Sequence, residues 1–392
     1  MPGAFARRWL LLFAGLFALT VPFRYQVLPN VGVWLRPVLE TGLTALTGPR
    51  AALFSDSAGL WLYAGLLAVG TAVAAALWLW LGPRTPVGEA RLRYGLHTGA
   101  AWWLALHLLL YGFDKVFKSQ FYLPEPNTLY TPLGQLSPDL AYWSVMGTSH
   151  AYSVFAGLLE VLPGLLLLWG RTRLLGGLLA LAVLANVLAL NIGFDISVKL
   201  WSGFLLLLAG VVAGPGLRTL WAGLVAGRWV PPTRPLRPAG WQGRGVGALR
   251  GLLLGILLLE TAGPLIGRGA FDDDAVPRPL LHGAYAVQPD VPAAPPAGPL
   301  PRRVFVHRQG YFITQSASDN FRSYTLRYAP GRLLLCDEAG RPGELRYHLD
   351  SAGLHLRGTL SGPDSVQWLA RPLPGRELPL LRPGRWSAES GE

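Results

Sequence analysis

The chain has 392 residues, of which 51% are apolar and only 14% charged, with a mean hydropathy of +0.35. A soluble domain carries about a quarter charged residues, so this balance excludes an ordinary water-soluble globule and points to lipid as solvent. The net charge of +12 does not indicate nucleic acid, because the arginines sit in short loops between apolar runs and not on one basic face; the lone Cys336 excludes an intrachain disulfide, a CxxC pair and a cysteine metal site.

Seven apolar spans are expected, at roughly 9–23, 59–81, 94–113, 150–169, 173–194, 198–214 and 248–266, each judged against the roughly 17–25 residues a helix needs to cross a bilayer. The first follows Arg7 and Arg8. It has Pro22 and Phe23 where a leader would be cut, so it is expected to be an uncleaved anchor. Residues 24–58 form a first outer loop, in which 31–46 is apolar on one side and suits the membrane interface. With it, 1–90 makes an N-terminal helix pair and loop, followed by a four-helix core over 91–222. Inside that core, residues 114–149 form a long outer segment rich in Pro, Tyr and Gln. Loops of this length are either functional or packed into the structure. Residues 223–247 are a cytoplasmic linker, and the seventh span (248–266) is marginal in length and holds Arg250 and Glu260.

Residues 267–301, with Asp272, Asp273 and Asp274 and then many prolines, read as a semi-extended linker. From 302 to 375 the texture becomes short strand-like runs with turn signals at 337–340 and 350–353, and ELRYHLDSAGLHLRGTL reads as a hairpin. About seven strands predict a small all-β domain, a sandwich or barrel-like sheet, in which His307, His348 and His355 are ordinary strand residues. The last segment, 376–392, is expected to be disordered.

Twelve arginines fall on the N-terminal side of alternating loops and six basic residues on the other. The positive-inside rule then puts the N-terminus in the cytoplasm and, with seven crossings, the C-terminal domain outside. If the last span only rests on the surface, that domain is cytoplasmic instead.

Polar residues at membrane depth point to chemistry, because each costs free energy there. Glu160 is central in its span, and its partner is expected among His107, Asn186, Asn191 and Lys199. A helix-to-helix hydrogen bond and a proton or ligand site are the two readings. His107, Tyr111, Asp114 and Lys118 are spaced 4, 3 and 4 apart, which puts them on one stripe if the helix continues past 113. Asp195 and Lys199 are four apart, on either a turn or a helix. The chain's three lysines, Lys115, Lys118 and Lys199, all lie in this region, where a compact ammonium differs in use from arginine. His97 and His107 share one helix, too far apart for one iron, and His107 with His150 offers only a weak basis for haem.

Residues 91–222 resemble the DoxX-like family of four-helix membrane proteins. The features that carry this, in order, are RLRYGLHTGAAWWLALHLLLYGFDK, KSQF (118–121), an SP before WSVMGTSHAYSVFAGLLEVLPGLLLLWGRTRLLG, and NVLALNIGFDISVKL. Ser55-Asp56-Ser57 resembles a longer branch with extra N-terminal helices and a C-terminal extension. The resemblance implies a polytopic helix bundle in a bacterial plasma membrane. It carries importance to Lys115, Lys118, Gln120, Glu160, Arg171, Asn186, Asn191, Asp195 and Lys199. Family members are loosely linked to membrane oxidoreductase systems, including a thiosulfate:quinone oxidoreductase subunit. The implied role is a partner subunit of a quinone-linked system, with Glu160, Asn191, Asp195 and Lys199 holding a quinone headgroup or relaying a proton. The alternatives are an envelope scaffold or membrane-protein chaperone acting through the β domain, and a small-solute carrier, although no inverted repeat is visible. Expected partners are the bilayer and another membrane protein.

Overall fold

The computed structural model describes residues 3–382 apart from 22, 24, 26, 49–52, 54, 83–84, 226, 229–243, 270, 291–299, 363–364 and 376–377. Most of the expected linker 223–247 and most of the 376–392 tail therefore lie outside the described residues. The chain divides into two compact units, 1–120 with 151–273, and 121–150 with 274–392.

The first unit is helical. Its helices are α1 (Ala4–Thr20), α2 (Val31–Thr47), α3 (Ala58–Leu81), α4 (Pro86–Val116), α7 (His150–Leu168, whose first residue belongs to the second unit), α8 (Arg173–Gly193), α9 (Lys199–Leu224) and α10 (Arg244–Arg268). Among the described residues, α3, α7, α8 and α9 are long and apolar enough to cross a membrane. The other three expected spans also form helices, α1, α4 and α10, but these carry polar side chains into the bundle. Helix α1 starts five residues before the expected first span and stops three residues before its end, at Thr20; Phe23 turns inward against His107 and Trp201, and Tyr25 against His107. Asn30 caps α2, accepting from the Val33 N–H. This helix buries Leu43 against Leu53 and Leu60 and leaves Trp34, Val38 and Leu46 exposed. The core of the unit is Phe17, Leu104, Leu108, Leu109, Leu167, Leu205, Leu208 and Ala209, with Leu257 of α10 packed into it.

Close helix contact rests on small residues. A Cβ on Gly112 of α4 would lie 2.9 Å from the Gly157 carbonyl oxygen, and one on Gly157 of α7 would lie 2.5 Å from the Gly112 carbonyl oxygen. Membrane helices approach closely where side chains are this small.

The second unit is a closed antiparallel barrel joined by the segment between α4 and α7. Its strands run in sequence order: β1 (Gly283–Pro289), β2 (Arg303–His307), β3 (Tyr311–Gln315), β4 (Phe321–Ala329), β5 (Arg332–Cys336), β6 (Pro342–Leu349), β7 (Leu354–Thr359) and β8 (Ser365–Leu373), with β1 pairing β8 to close the ring. Closure removes the exposed edges a sheet would otherwise present. The hairpin over 342–359 forms as read, with His348 opposite His355. The Asp337 carboxylate accepts the backbone N–H of Ala339 and Arg341, and that of Asp350 the N–H of Ala352 and Gly353, which makes both turns. The sheet starts earlier than expected. Residues 283–289, read as part of a linker, form its first strand, because Tyr285 and Val287 alternate into the barrel and Pro289 comes only at the strand end. Tyr285, Val306, Phe312, Leu333, Leu345, Leu356 and Trp368 fill the interior, so the barrel has a packed core.

Residues 121–150 contain α5 (Pro126–Leu129) and α6 (Pro138–Thr148). Tyr130 packs on the outer face of the barrel over Ala284, Phe305 and Ile313, and its carbonyl accepts from the buried amide of Gln315. From 121 on, this long segment is thus packed structure, and the unit that holds the β strands includes it.

Candidate functional site

The Gly112–Gly157 approach sets the geometry of the bundle's buried ion pair. Lys115 and Glu160 each lie three residues further along the same helices, and Lys115 Nζ donates to Glu160 Oε2 at 2.8 Å with both side chains nearly inaccessible. Ser153 donates to the Lys115 carbonyl and ties the two helices again. The expected partners of Glu160 are therefore corrected. Lys115 is its counter-ion because α4 continues in regular helix to Val116 and presents Lys115 to α7.

The remaining predicted residues separate. Asn191 donates to Ser202 Oγ. Asn186 is exposed on α8 and takes no part in an inward site. Asp195, exposed and at φ 51, sits in the turn between α8 and α9 and accepts from Lys199 Nζ at 2.8 Å. The stripe of four breaks at its end: His107, Tyr111 and Asp114 lie on α4, but Lys118 follows the helix at φ 55, 1% exposed. Asp114 is exposed, its carbonyl accepting from the Gln120 N–H. The cluster Glu160, Asn191, Asp195 and Lys199 is thus three local pairings and not one site.

A different constellation lies at the α9 N-terminus. Both carboxylate oxygens of Asp56 accept the first backbone N–H groups of α9, those of Lys199 and Leu200, at 2.6 and 3.0 Å. Lys199 Nζ is 3.8 Å from the same carboxylate. An acid at a helix N-terminus satisfies unpaired donors and complements the helix dipole. Asp56 with Ser55, Ser197, Phe17, Phe23, Tyr111 and Trp201 borders a cavity of about 520 Å³ that is mostly apolar. The indole N–H of Trp201 is buried behind this wall and faces the Tyr111 side chain. Such a slot, aromatic with a few convergent polar groups, has the character of a small-molecule site.

Behind its aromatic wall stands fully buried His107. Nδ1 faces the Trp103 carbonyl at 2.9 Å, so Nδ1 carries the proton; Nε2 then accepts from the Tyr25 hydroxyl at 3.0 Å. His97 faces the Val212 carbonyl through Nε2 and the Arg173 guanidinium through Nδ1. Both histidines thus have both nitrogens engaged within the protein. Glu260, 1% exposed on α10, accepts the N–H groups of Val27 and Leu28 and so pins the segment after α1. Sequence reasoning left Tyr25, Asp56, Trp201 and Glu260 out of the site. The signals available were the Ser-Asp-Ser run before α3 and an acid inside the seventh span.

In the second unit, Glu125 is buried beside His282 Nε2 at 3.1 Å and Arg308 Nε at 2.8 Å, with His307 Nε2 at 3.7 Å. Arg308 in turn lies over the Tyr122 ring, 3.9 Å from its centroid. Burial pushes the Glu125 carboxyl up. The His282 hydrogen bond, the His307 charge and the Arg308 backbone N–H outweigh it and hold the carboxyl below its ordinary value. Burial pushes His307 down, and Glu125 only partly offsets this. Beyond the other end of β1, His355 bridges Asp290 and Asp350. His307 and His355 thus each meet a carboxylate and are more than bystanders on their strands.

Among known proteins, the chain is 30% identical over 105 residues to the uncharacterized protein YwoB of Bacillus subtilis (strain 168), a match covering 24% of this chain and 60% of that protein. The chain thus spans less than two thirds of that relative's length. No family model and no solved structure matches.

Proposed function

We propose that the chain is a polytopic membrane protein of DoxX-like type that binds a quinone-class ring in the cavity beside Trp201, as a partner subunit of a membrane oxidoreductase system. The observation that carries this reading is an apolar cavity of about 520 Å³ walled by Phe23, Tyr111 and Trp201, with the Asp56 carboxylate and the Ser55 and Ser197 hydroxyls among its lining. A quinone ring stacks on such aromatic faces, its carbonyls are acceptors for the serine hydroxyls, and the volume lies within the roughly 300–1,000 Å³ usual for ligand sites. The residues present fit a quinone headgroup: aromatic faces from Phe23, Tyr111 and Trp201, and a carboxylate and hydroxyls at one end. A bound quinone would supply an acceptor for two electrons and two protons. The chain's own part is to hold the ring, exclude water and keep the Lys115–Glu160 pair desolvated nearby.

In this reading α1, α3, α4, α7, α8, α9 and α10 cross the membrane, with the N-terminus in the cytoplasm. Its support is that 121–150 and the barrel share one compact unit, as the four crossings of α7, α8, α9 and α10 between them require. Exposed Trp34 and Val38 on α2 then lie at the outer interface.

The test is titration of the detergent-purified chain with a soluble quinone analogue, alongside the visible spectrum and extraction of co-purified small molecules. Binding that weakens in Trp201→Phe is expected. Equal binding by wild type and Trp201→Phe, or none by either, sinks the cavity as the site. The scaffold reading is favoured by the barrel's filled interior, which leaves its outside for a partner. A defined partner lost when the barrel is deleted, from a protein that binds no quinone, would select it.

A further inference from the structure

At the other end of the bundle, the start of α1, the end of α3 and the first turn of α4 meet around one acid. Arg7 Nη2 and Arg8 Nη2 donate to the two oxygens of Glu89, at 3.0 and 2.6 Å. The Arg8 guanidinium stands over the Trp78 ring at 5.2 Å. Arg8 is only 3% exposed, yet its Nε and Nη1 are buried with no acceptor. A guanidinium presents five N–H donors and no acceptor, and buried donors are rarely left unmatched. Glu89 is shared with Arg7, so it engages only one edge of the Arg8 guanidinium.

We propose that Arg8, with Arg7 beside it, binds a phosphate-bearing anion at this end of the bundle. Phosphate offers several acceptor oxygens and a negative charge together, and guanidinium matches it better than ammonium does. Trp78 covers one face of the Arg8 cation, and neighbouring Trp80 is exposed, a pairing of aromatic rings and basic residues typical of a bilayer's headgroup level. The anion site does not depend on the quinone reading, and only its lipid form depends on the membrane reading. The two sources of that chemistry are an anionic phospholipid headgroup and a soluble phosphate.

The experiment uses the full chain in detergent, with phosphatidylglycerol, phosphatidylcholine and inorganic phosphate as probes, and reads bound species by native mass spectrometry and by thermal shift. Wild type should retain phosphatidylglycerol over phosphatidylcholine, and Arg8→Gln should weaken it by about tenfold or more. Arg8→Lys keeps the charge and loses most of the donors, so it should also bind weakly. It serves if Arg8→Gln does not fold, and Arg346→Gln on the barrel is the control that should bind as wild type. Arg8-dependent binding of inorganic phosphate with no preference for phosphatidylglycerol would support the site and assign it to a soluble ion. No binding by wild type to either phosphate source would overturn the proposal, as would wild-type affinity in a folded Arg8→Gln or Arg8→Lys protein.

Discussion

Gly112 and Gly157 face each other across α4 and α7 with no room for a methyl group on either. The same close approach sets Lys115 against Glu160 three residues on. Gly157→Ala should therefore act beyond its own position. A Cβ there meets the Gly112 backbone, which cannot swing aside as a flexible side chain would. The expected loss is about 1–3 kcal/mol, read from unfolding in mixed micelles. A neutral result would mean the helices can part without consequence.

The ion pair itself should behave as a coupled unit. Lys115→Met or Glu160→Leu alone leaves a buried charge without its partner, a loss of about 3–5 kcal/mol, whereas the double variant replaces both with apolar groups and should recover most of it. The same micelle unfolding assay closes the double-mutant cycle. Losses that simply add would show the two side chains to be independent.

Asp56 is expected to hold the start of α9. Asp56→Ala removes the acceptors for two backbone N–H groups, and cap losses of this kind run about 0.5–2 kcal/mol. Asp56→Asn retains one oxygen and should lose less. Hydrogen exchange at Lys199 and Leu200 is the direct readout. Unchanged protection in Asp56→Ala would remove Asp56 from the cap and loosen its link to the cavity.

Helices were legible wherever apolar composition dominates, as in α3, α7, α8 and α9. The barrel's hairpins were legible from alternation and from the Asp-led turns at 337 and 350. What the sequence hid were pairings between distant elements. Nothing local marks Lys115 as the partner of Glu160, since the contact depends on glycines 45 residues apart on two helices. Nor does it mark Tyr130 as a cover for Phe305 and Ile313, because a tyrosine in a proline-rich loop looks like any other. Arg8 read as a topology signal, and only its burial and its unmatched donors give it a second meaning. Strand β1 was missed because its two inward residues, Tyr285 and Val287, lie between linker-like stretches.

Glu125 and His307 should make the second unit sensitive to acid, through two limbs of the same sign. His307 has a folded pKa below its ordinary 6.5, with burial as the main cause. Below about 6.5 the unfolded chain therefore takes up a proton that the folded unit does not, and stability falls with pH until the folded value is reached. Glu125 acts lower. Its carboxyl is held below its ordinary 4.5 despite burial, by His282, His307 and the Arg308 N–H. Its contribution is complete above about 4.5 and is lost as pH falls through that depressed value. Protection factors for the Val304 and Val306 amides of β2, corrected for intrinsic exchange, should therefore fall from pH 7 toward pH 4. His307→Gln should flatten the upper limb, and Glu125→Gln the lower one while weakening the unit at neutral pH. Flat protection across the range in the wild-type chain would show that the clamp between 121–150 and the barrel does not depend on these charges.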